Sequence, residues 1–184
     1  MAMVPNYSQD TTQIGASGQS VTPVARRISG SGRLSLFLGI VRTSYAMSVS
    51  IAKTDADIRD CWLVMAQLRP HLKERDFISV VRGQLEGYRL AYIRRKKKIA
   101  AVAGFRMLHS LAWGHFCYVD DLVTDEQTRS QGLGKELLDW LCKFARSEGC
   151  KRLELDSGVQ RFAAHRFYLR HSMFISCHHF SLEL

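Results

Sequence analysis

The stretch DDLVTDEQTRSQGLGKELLDWL, from Asp120 to Leu141, decides the fold because three kinds of structure follow one another in it. An apolar, strand-like run leads into a loop of small and polar residues, and an amphipathic helix comes after the loop. A loop of small residues at a helix start leaves backbone N–H groups unpaired and pointing outward. Because such groups bind phosphate and other anions, the stretch predicts an anion-binding turn between a strand and a helix.

The loop RSQGLGKEL departs from two common phosphate-binding patterns. The P-loop pattern requires a glycine at the position of Arg129 and a serine or threonine at the position of Glu136. The dinucleotide fingerprint requires a third glycine at the position of Leu137, and it belongs at the first strand of a doubly wound sheet, whereas this loop comes late. A nucleoside triphosphatase and a dinucleotide-binding protein are therefore both disfavoured.

A third pattern, (Arg/Gln)-x-x-Gly-x-(Gly/Ala), is matched without exception from Arg129 to Gly134. With YVDDLVT before this loop and AAHRFYLRHSMF after it, the chain resembles the GNAT superfamily of acyl-CoA-dependent N-acyltransferases. The order of the predicted elements from Val49 to Leu184 also follows that superfamily. The resemblance implies an N-acetyltransferase that uses acetyl-CoA as cosubstrate, requires no metal and acetylates an amine of a small molecule or of a protein.

The pattern of apolar residues predicts an α/β fold of the mixed, α+β kind. VSIAKT is typical of an edge strand, and YRLAYI, IAAVAGFRML and WGHFCYVDDLVT predict an antiparallel meander. RLELD follows the crossover helix and is expected to lie parallel to the strand before the loop. Helices are predicted after Thr54 and over 76–85 and 163–170, and FISCHHFSLEL is predicted as a final strand. The expected GNAT-like fold is a mostly antiparallel central sheet flanked by helices, with a splayed parallel strand pair.

The resemblance places the cofactor on the central strand, the loop and the last helix. Loop N–H groups are expected to cradle the pyrophosphate, and the two loop glycines permit its close approach. Main-chain groups of the strand are expected to pair with the pantetheine arm and to polarise the thioester carbonyl. The predicted cofactor-binding residues are Leu122, Val123, Thr124, Arg129, Ser130, Gln131, Gly132, Leu133, Gly134, Lys135, Ser157, Ala164 and Phe167.

Two proton transfers complete such a reaction, one from the incoming ammonium and one to the departing thiolate. The resemblance implies Tyr168 as the acid, and Asp120 as the better candidate for the base. Asp121 is a second catalytic candidate, with a loop or substrate contact as its other role, and water chains are the alternative base. Strand alternation predicts two faces, one with Tyr118, Asp120, Leu122 and Thr124, the other with Cys117, Val119, Asp121 and Val123.

The chain departs from the family pattern at two places. Ser172-Met173 stands where the family usually has Gly-Phe, and Arg161 stands where an asparagine is often found. The first difference affects the turn after the last helix, and the second weakens the transfer of cofactor contacts to that helix.

The chain carries 26 Lys and Arg against 17 Asp and Glu, a net charge of +9 that favours anionic partners. Its densest cationic run, Arg94 to Lys98, is interpreted as a solvated hairpin turn, because no RNA-binding aromatic signature accompanies it. Nucleic-acid binding is therefore the weakest alternative. A noncatalytic acyl-CoA-binding regulatory module, which would keep the cradle without turnover, is the stronger one.

Five scattered cysteines without metal-binding spacing indicate reduced thiols and a cytoplasmic protein. Residues 1–46, rich in Ser, Thr, Gly and Gln, are interpreted as a flexible leader or a targeting segment, with organelle targeting as the alternative localisation. The apolar run Leu34 to Val41 is too short to span a membrane. Residues 47–184 are predicted as the N-acetyltransferase domain, and homodimerisation stays open.

Overall fold

Strands and helices follow from residue 49 onward in nearly the order that the sequence predicts. The computed structural model describes residues 49–84 and 87–184, so the predicted leader over residues 1–46 lies outside the described residues. The strands are β1 (Val49–Ile51), β2 (Arg89–Arg95), β3 (Lys98–Ser110), β4 (Gly114–Thr124) and β5 (Arg152–Leu155). The helices are α1 (Asp55–Leu68), α2 (Glu74–Arg82), α3 (Leu133–Ser147) and α4 (Phe162–Arg170).

Within the described residues, five strands form one sheet in the order β1-β2-β3-β4-β5. All neighbours are antiparallel except β4 and β5, which are parallel and are connected through α3. The predicted mixed fold, mostly antiparallel with one parallel pair, is confirmed. The same residues contain no helix of the length and apolarity that a membrane crossing requires.

The basic run between β2 and β3 is a tight hairpin turn, as predicted. Lys96 and Lys97 have φ values of 45° and 69°, and positive φ at both central residues is the mark of a type I′ turn. Arg94 pairs with Asp60 of α1, and Arg95 pairs with Glu136 of α3. Two cations of this run therefore tie the hairpin to the helices on opposite faces of the sheet.

The sheet separates two apolar layers. On one face α3 packs against the strands, with Leu133, Leu137 and Leu141 in its buried cluster. On the other face α1 and α2 supply Cys61, Met65 and Phe77 to a second cluster. The capping box formed by Thr54 and Asp57 fixes the start of α1, and the helix ends at Leu68, two residues before Pro70.

A β-bulge interrupts the pairing of β3 with β4. Gly104 pairs with Asp121. The next residue of β3, Phe105, pairs with Val119, so Asp120 is an extra residue of β4 without an opposite partner.

The bulge overturns the predicted alternation beyond Asp120. Val119 and Leu122 both pack in the α3 layer, whereas Val123 packs in the α1–α2 layer. The extra residue shifts the phase of the strand by one position, and Asp121 consequently points towards α1. The prediction that Leu122 shares the face of Asp120, and that Asp121 and Val123 share the face of Val119, is therefore wrong.

The predicted final strand is also wrong. Residues 173–184, all described, contain no strand, and Phe174, Ile175, Phe180 and Leu182 are exposed. Phe174 and Ile175 are adjacent, and a polar run follows them, so the segment does not present a continuous apolar face to a sheet. The second helix is shifted as well, because α2 spans Glu74–Arg82 and not 76–85.

Candidate active site

The parallel pairing of β4 with β5 ends before β4 itself ends. On β4, only Phe116 to Val119 pair with β5, and β5 ends at Leu155. From Asp121 to Thr124, β4 pairs with β3, and from Asp120 to Thr124 it pairs with no described residue on its other side. Backbone N–H and C=O groups along that edge are therefore open to a ligand that can hydrogen-bond to them.

The loop after β4 forms an anion-binding concavity at the start of α3. Ser130 and Gly132 have φ values of 63° and 81°, the left-handed conformation found in backbone anion nests. No side chain caps α3, so its first-turn N–H groups and the positive end of the helix dipole face the loop. A Cβ built on Gly132 has no heavy atom within 4 Å, which leaves room for an anionic group.

The strand end, the start of α3 and α4 meet at Gly134. A Cβ built on this glycine would lie 3.5 Å from Thr124 Oγ1 and 3.5 Å from Phe167 Cζ. The structure therefore brings together predicted cofactor residues from three separate elements. Ala164 is half-buried on the same helix as Phe167.

An orphaned polar atom lies at the end of β5. The Oγ atom of Ser157 is buried and has no hydrogen-bond partner among the described residues. A buried hydroxyl without a partner costs free energy, and a polar ligand in the opening beside β5 would remove that cost. This observation fits the predicted contact between Ser157 and the cofactor.

The side chains of the other predicted loop residues differ in their availability. Leu133 belongs to the core, so only its backbone can serve a ligand. Lys135 pairs with Asp139 one turn further along α3 at 2.5 Å. Arg129 and Gln131 are exposed on the loop.

Asp120 is engaged by an arginine of the neighbouring strand. Arg106 donates from Nε to Oδ2 at 2.9 Å and from Nη2 to Oδ1 at 2.8 Å, a two-bond pairing. Both side chains are largely buried, with exposed fractions of 15% for Arg106 and 22% for Asp120. Both carboxylate oxygens of this predicted base therefore accept from a guanidinium.

Asp121 lies between the sheet and α1. Arg69 of α1 donates to its Oδ1 at 2.8 Å, and the Tyr88 hydroxyl donates to its Oδ2 at 2.9 Å. Burial, and then the charge of Asp121, raise the pKa of Tyr88 far above its usual range, so this phenol stays protonated as a donor. Any side chain at Gly104 would overlap the Tyr88 hydroxyl, which accounts for a glycine there.

A cluster of three titratable side chains, whose contact the sequence did not predict, lies where the pairing of β4 with β5 ends. Tyr118 donates to Oδ2 of Asp156 at 2.5 Å, and Nδ1 of His179 lies 3.0 Å from the same oxygen. Burial and then the bond to Asp156 raise the pKa of Tyr118. The final segment approaches β5 without pairing with it, so the strand pattern did not indicate this contact.

Tyr168, the predicted acid, is half-buried on α4. Burial raises the pKa of its hydroxyl, and the nearby Arg161 partly opposes that effect. The phenol is therefore protonated at neutral pH and has a proton to donate. Among residues 49–84 and 87–184, no group of three or more His, Cys, Asp or Glu is arranged to hold a metal ion.

Comparison with known proteins identifies the class to which this fold and this site belong. Residues 55–173 match the model of the Acetyltransferase (GNAT) family. The chain belongs to that family, and the resemblance inferred from the loop and its neighbours is confirmed.

Two curated relatives are N-acetyltransferases. The uncharacterized N-acetyltransferase YhdJ of Bacillus subtilis is 36% identical over 107 residues, which cover 57% of this chain and 75% of that protein. The aminoalkylphosphonate N-acetyltransferase of Salmonella typhimurium is 35% identical over 86 residues, 45% of this chain and 53% of that protein. These relatives support acyltransferase activity at the level of the family.

A solved structure shares the fold at low sequence identity. The aminoglycoside N-acetyltransferase AAC(6')-Iy, crystallised in complex with CoA, superposes with a TM-score of 0.66 at 10% identity. The match covers 74% of this chain and 94% of that protein.

Proposed function

We propose that this protein transfers the acetyl group of acetyl-CoA to a primary amine by direct attack, without a covalent enzyme intermediate. One observation carries the proposal: the edge of β4 from Asp120 to Thr124, which β5 leaves unpaired, is connected by the loop over 125–132 to the open N-terminus of α3. A single slot thus offers hydrogen-bonding backbone to an amide-containing arm and, at its end, a site for a pyrophosphate.

Different residues would contact different parts of acetyl-CoA. Backbone N–H groups from Ser130 to Lys135 would bind the pyrophosphate, and Arg129 adds a cation beside it. Main-chain groups of Leu122, Val123 and Thr124 would pair with the amides of the pantetheine arm. Ser157 would contribute its orphaned hydroxyl.

The reaction needs charge stabilisation and a proton donor. A backbone N–H on the open edge of β4 would stabilise the oxyanion that develops on the thioester carbonyl. Tyr168 would protonate the departing thiolate, and its raised pKa is consistent with that role. The contacts of Asp120 with Arg106 and of Asp121 with Arg69 favour positioning roles for these two aspartates.

The acceptor is a primary amine of a small molecule or of a protein. The relative from Salmonella typhimurium is named for an aminoalkylphosphonate, so 2-aminoethylphosphonate is a sensible first probe. Spermidine and a peptide with a free N-terminal alanine extend the panel to polyamines and proteins. A cytoplasmic location is part of this proposal.

Calorimetric titration of the full chain with acetyl-CoA tests the cofactor site. Gly132→Trp should abolish binding, because the indole would fill the concavity. Gly114→Trp is the matched control, since that glycine also has a positive φ and open space around it but lies at the opposite end of β4. Binding that survives in Gly132→Trp, or no binding by the folded wild type, would refute the proposed site.

Thiol release in the presence of the amine panel then tests turnover. Tyr168→Phe should lower kcat roughly a hundredfold while leaving acetyl-CoA affinity within a few-fold. Tight acetyl-CoA binding without thiol release from any amine would instead favour the noncatalytic acyl-CoA-binding module.

A further inference from the structure

Three titratable side chains from distant parts of the chain converge beside the opening between β4 and β5. Asp156 follows the last residue of β5, and Tyr118 lies on β4, one residue before the last pair of the parallel ladder. His179 comes from the C-terminal segment, and its Nδ1 lies 3.0 Å from the oxygen of Asp156 that accepts from Tyr118. The imidazole is thereby held at the mouth of the slot proposed for the thioester.

The contacts define what each nitrogen of His179 can do. Nδ1 faces the carboxylate, so the proton of the neutral ring is held there, and Nε2 is left with a lone pair. A carboxylate on one nitrogen and a reacting proton on the other is the arrangement in which histidine serves as a general base. The side chain is 67% exposed, so an incoming amine can reach it from solvent.

The two aspartates of β4 are less suited to the same task. Arg106 occupies both oxygens of Asp120, and Asp121 is 8% exposed with bonds to Arg69 and Tyr88. Protonation of either carboxylate would leave the neighbouring guanidinium without its counter-charge. Exposed His179 accepts one without losing its contact to Asp156.

Resting on the function proposed above, we propose that His179 is the general base that deprotonates the acceptor ammonium. Asp156 is its positioning residue, and Tyr118 fixes the carboxylate of Asp156 by donating to the same oxygen that His179 contacts. The C-terminal segment thus completes the active site without joining the sheet.

Two protons leave the amine nitrogen during the transfer. Nε2 of His179 takes one proton from the ammonium and later releases it to water. The freed amine nitrogen forms the C–N bond to the thioester carbonyl carbon, and the C–S bond breaks. Tyr168 gives a proton to the leaving thiolate, and the second proton lost from nitrogen returns to Tyr168 through solvent.

The pH dependence follows from the groups around this histidine. Asp156 faces it directly from the end of β5, Tyr118 faces Asp156 from β4, and the Asp120–Arg106 pair lies near Tyr118. Because the base must be unprotonated, kcat/KM should rise with pH to a plateau.

The test compares two adjacent histidines in the full chain, at saturating acetyl-CoA and with the most active amine of the panel. His179→Gln should lower kcat/KM roughly a hundredfold and remove the ascending limb of the pH profile. His178→Gln, the matched control on the same segment, should stay within twofold at every pH. Asp156→Asn should reduce kcat/KM by a smaller factor, and Tyr168→Phe should retain the ascending limb.

Chemical rescue separates a proton-transfer role from a structural one. Added imidazole should restore a concentration-dependent part of the activity of His179→Gly and should have no effect on the wild type. If the wild type turns over, and His179→Gln retains its activity and the same rise of kcat/KM with pH, the base assignment is overturned and the proposed function stands. If the wild type releases no thiol with any amine, the proposed function falls and the base assignment falls with it.

Discussion

Arg69 of α1 and Asp121 of β4 are joined by a 2.8 Å hydrogen bond that connects a helix layer to the bulged segment of the central strand. Arg69→Met should lower the free energy of unfolding by about 2 kcal/mol, because it leaves the carboxylate of Asp121, which is 8% exposed, without its cation. Urea denaturation measures the loss. Arg75→Met breaks an exposed pair with Asp76 and should change stability by less than about 0.5 kcal/mol; equal losses in the two variants would contradict the prediction.

The capping box of α1 should make stability depend on acidic pH. Hydrogen bonds from the backbone and side chain of Thr54 lower the pKa of Asp57 from 3.8 to about 2. Between these values the unfolded chain binds more protons, so the contribution of Asp57 is complete above pH 3.8 and is lost as the pH falls through about 2.

Asp57→Ala tests this pH dependence. We expect a loss of about 1 kcal/mol at pH 7 that shrinks steadily below about pH 4. Urea unfolding at a series of pH values measures the difference between variant and wild type. A constant difference down to pH 2 would show that the charge of Asp57 is irrelevant to the cap.

The cysteines should differ sharply in reactivity towards a thiol reagent. Burial raises the pKa of Cys61 and of Cys117 to about 12, and neither side chain is exposed. Cys177 is exposed on the C-terminal segment. Ellman's reagent should therefore modify one thiol quickly in the native protein, and Cys177→Ser should remove that fast phase. A fast phase of the same size in the variant would place the reactive thiol elsewhere.

The hairpin between β2 and β3 holds a non-glycine residue in a conformation that glycine adopts readily. Lys97 has a φ of 69° in a type I′ turn, and Lys97→Gly should raise the unfolding free energy by about 1 kcal/mol. Thermal unfolding followed by circular dichroism measures the gain. Lys98→Gly, at the first position of β3, is the control and should not stabilise the protein.

The sequence predicted most of the fold because its signals are local. The apolar runs of β2 and β3, the cap at Thr54 and the glycine-rich loop before α3 each lie within a short stretch of chain. Such stretches determine the element types and their order, and the family resemblance supplied the topology.

The errors concern features that depend on residues far apart in the chain. The bulge at Asp120 is a mismatch between two strands, and neither strand shows it by itself. The contact of His179 with Asp156 joins the end of β5 to a segment that has no regular structure. The roles assigned to Tyr168 and to the cofactor residues stay predictions until binding and turnover are measured.

The extra residue in β4 also determines which genetic changes this site can tolerate. Deletion of Asp120 would remove the bulge and restore strict alternation, with Asp121 still facing α1 and Leu122 still in the α3 layer. One missing codon at this position would therefore remove the carboxylate that pairs with Arg106 without exchanging the two faces of the strand. Alignments of homologues should accordingly allow a gap of one residue here.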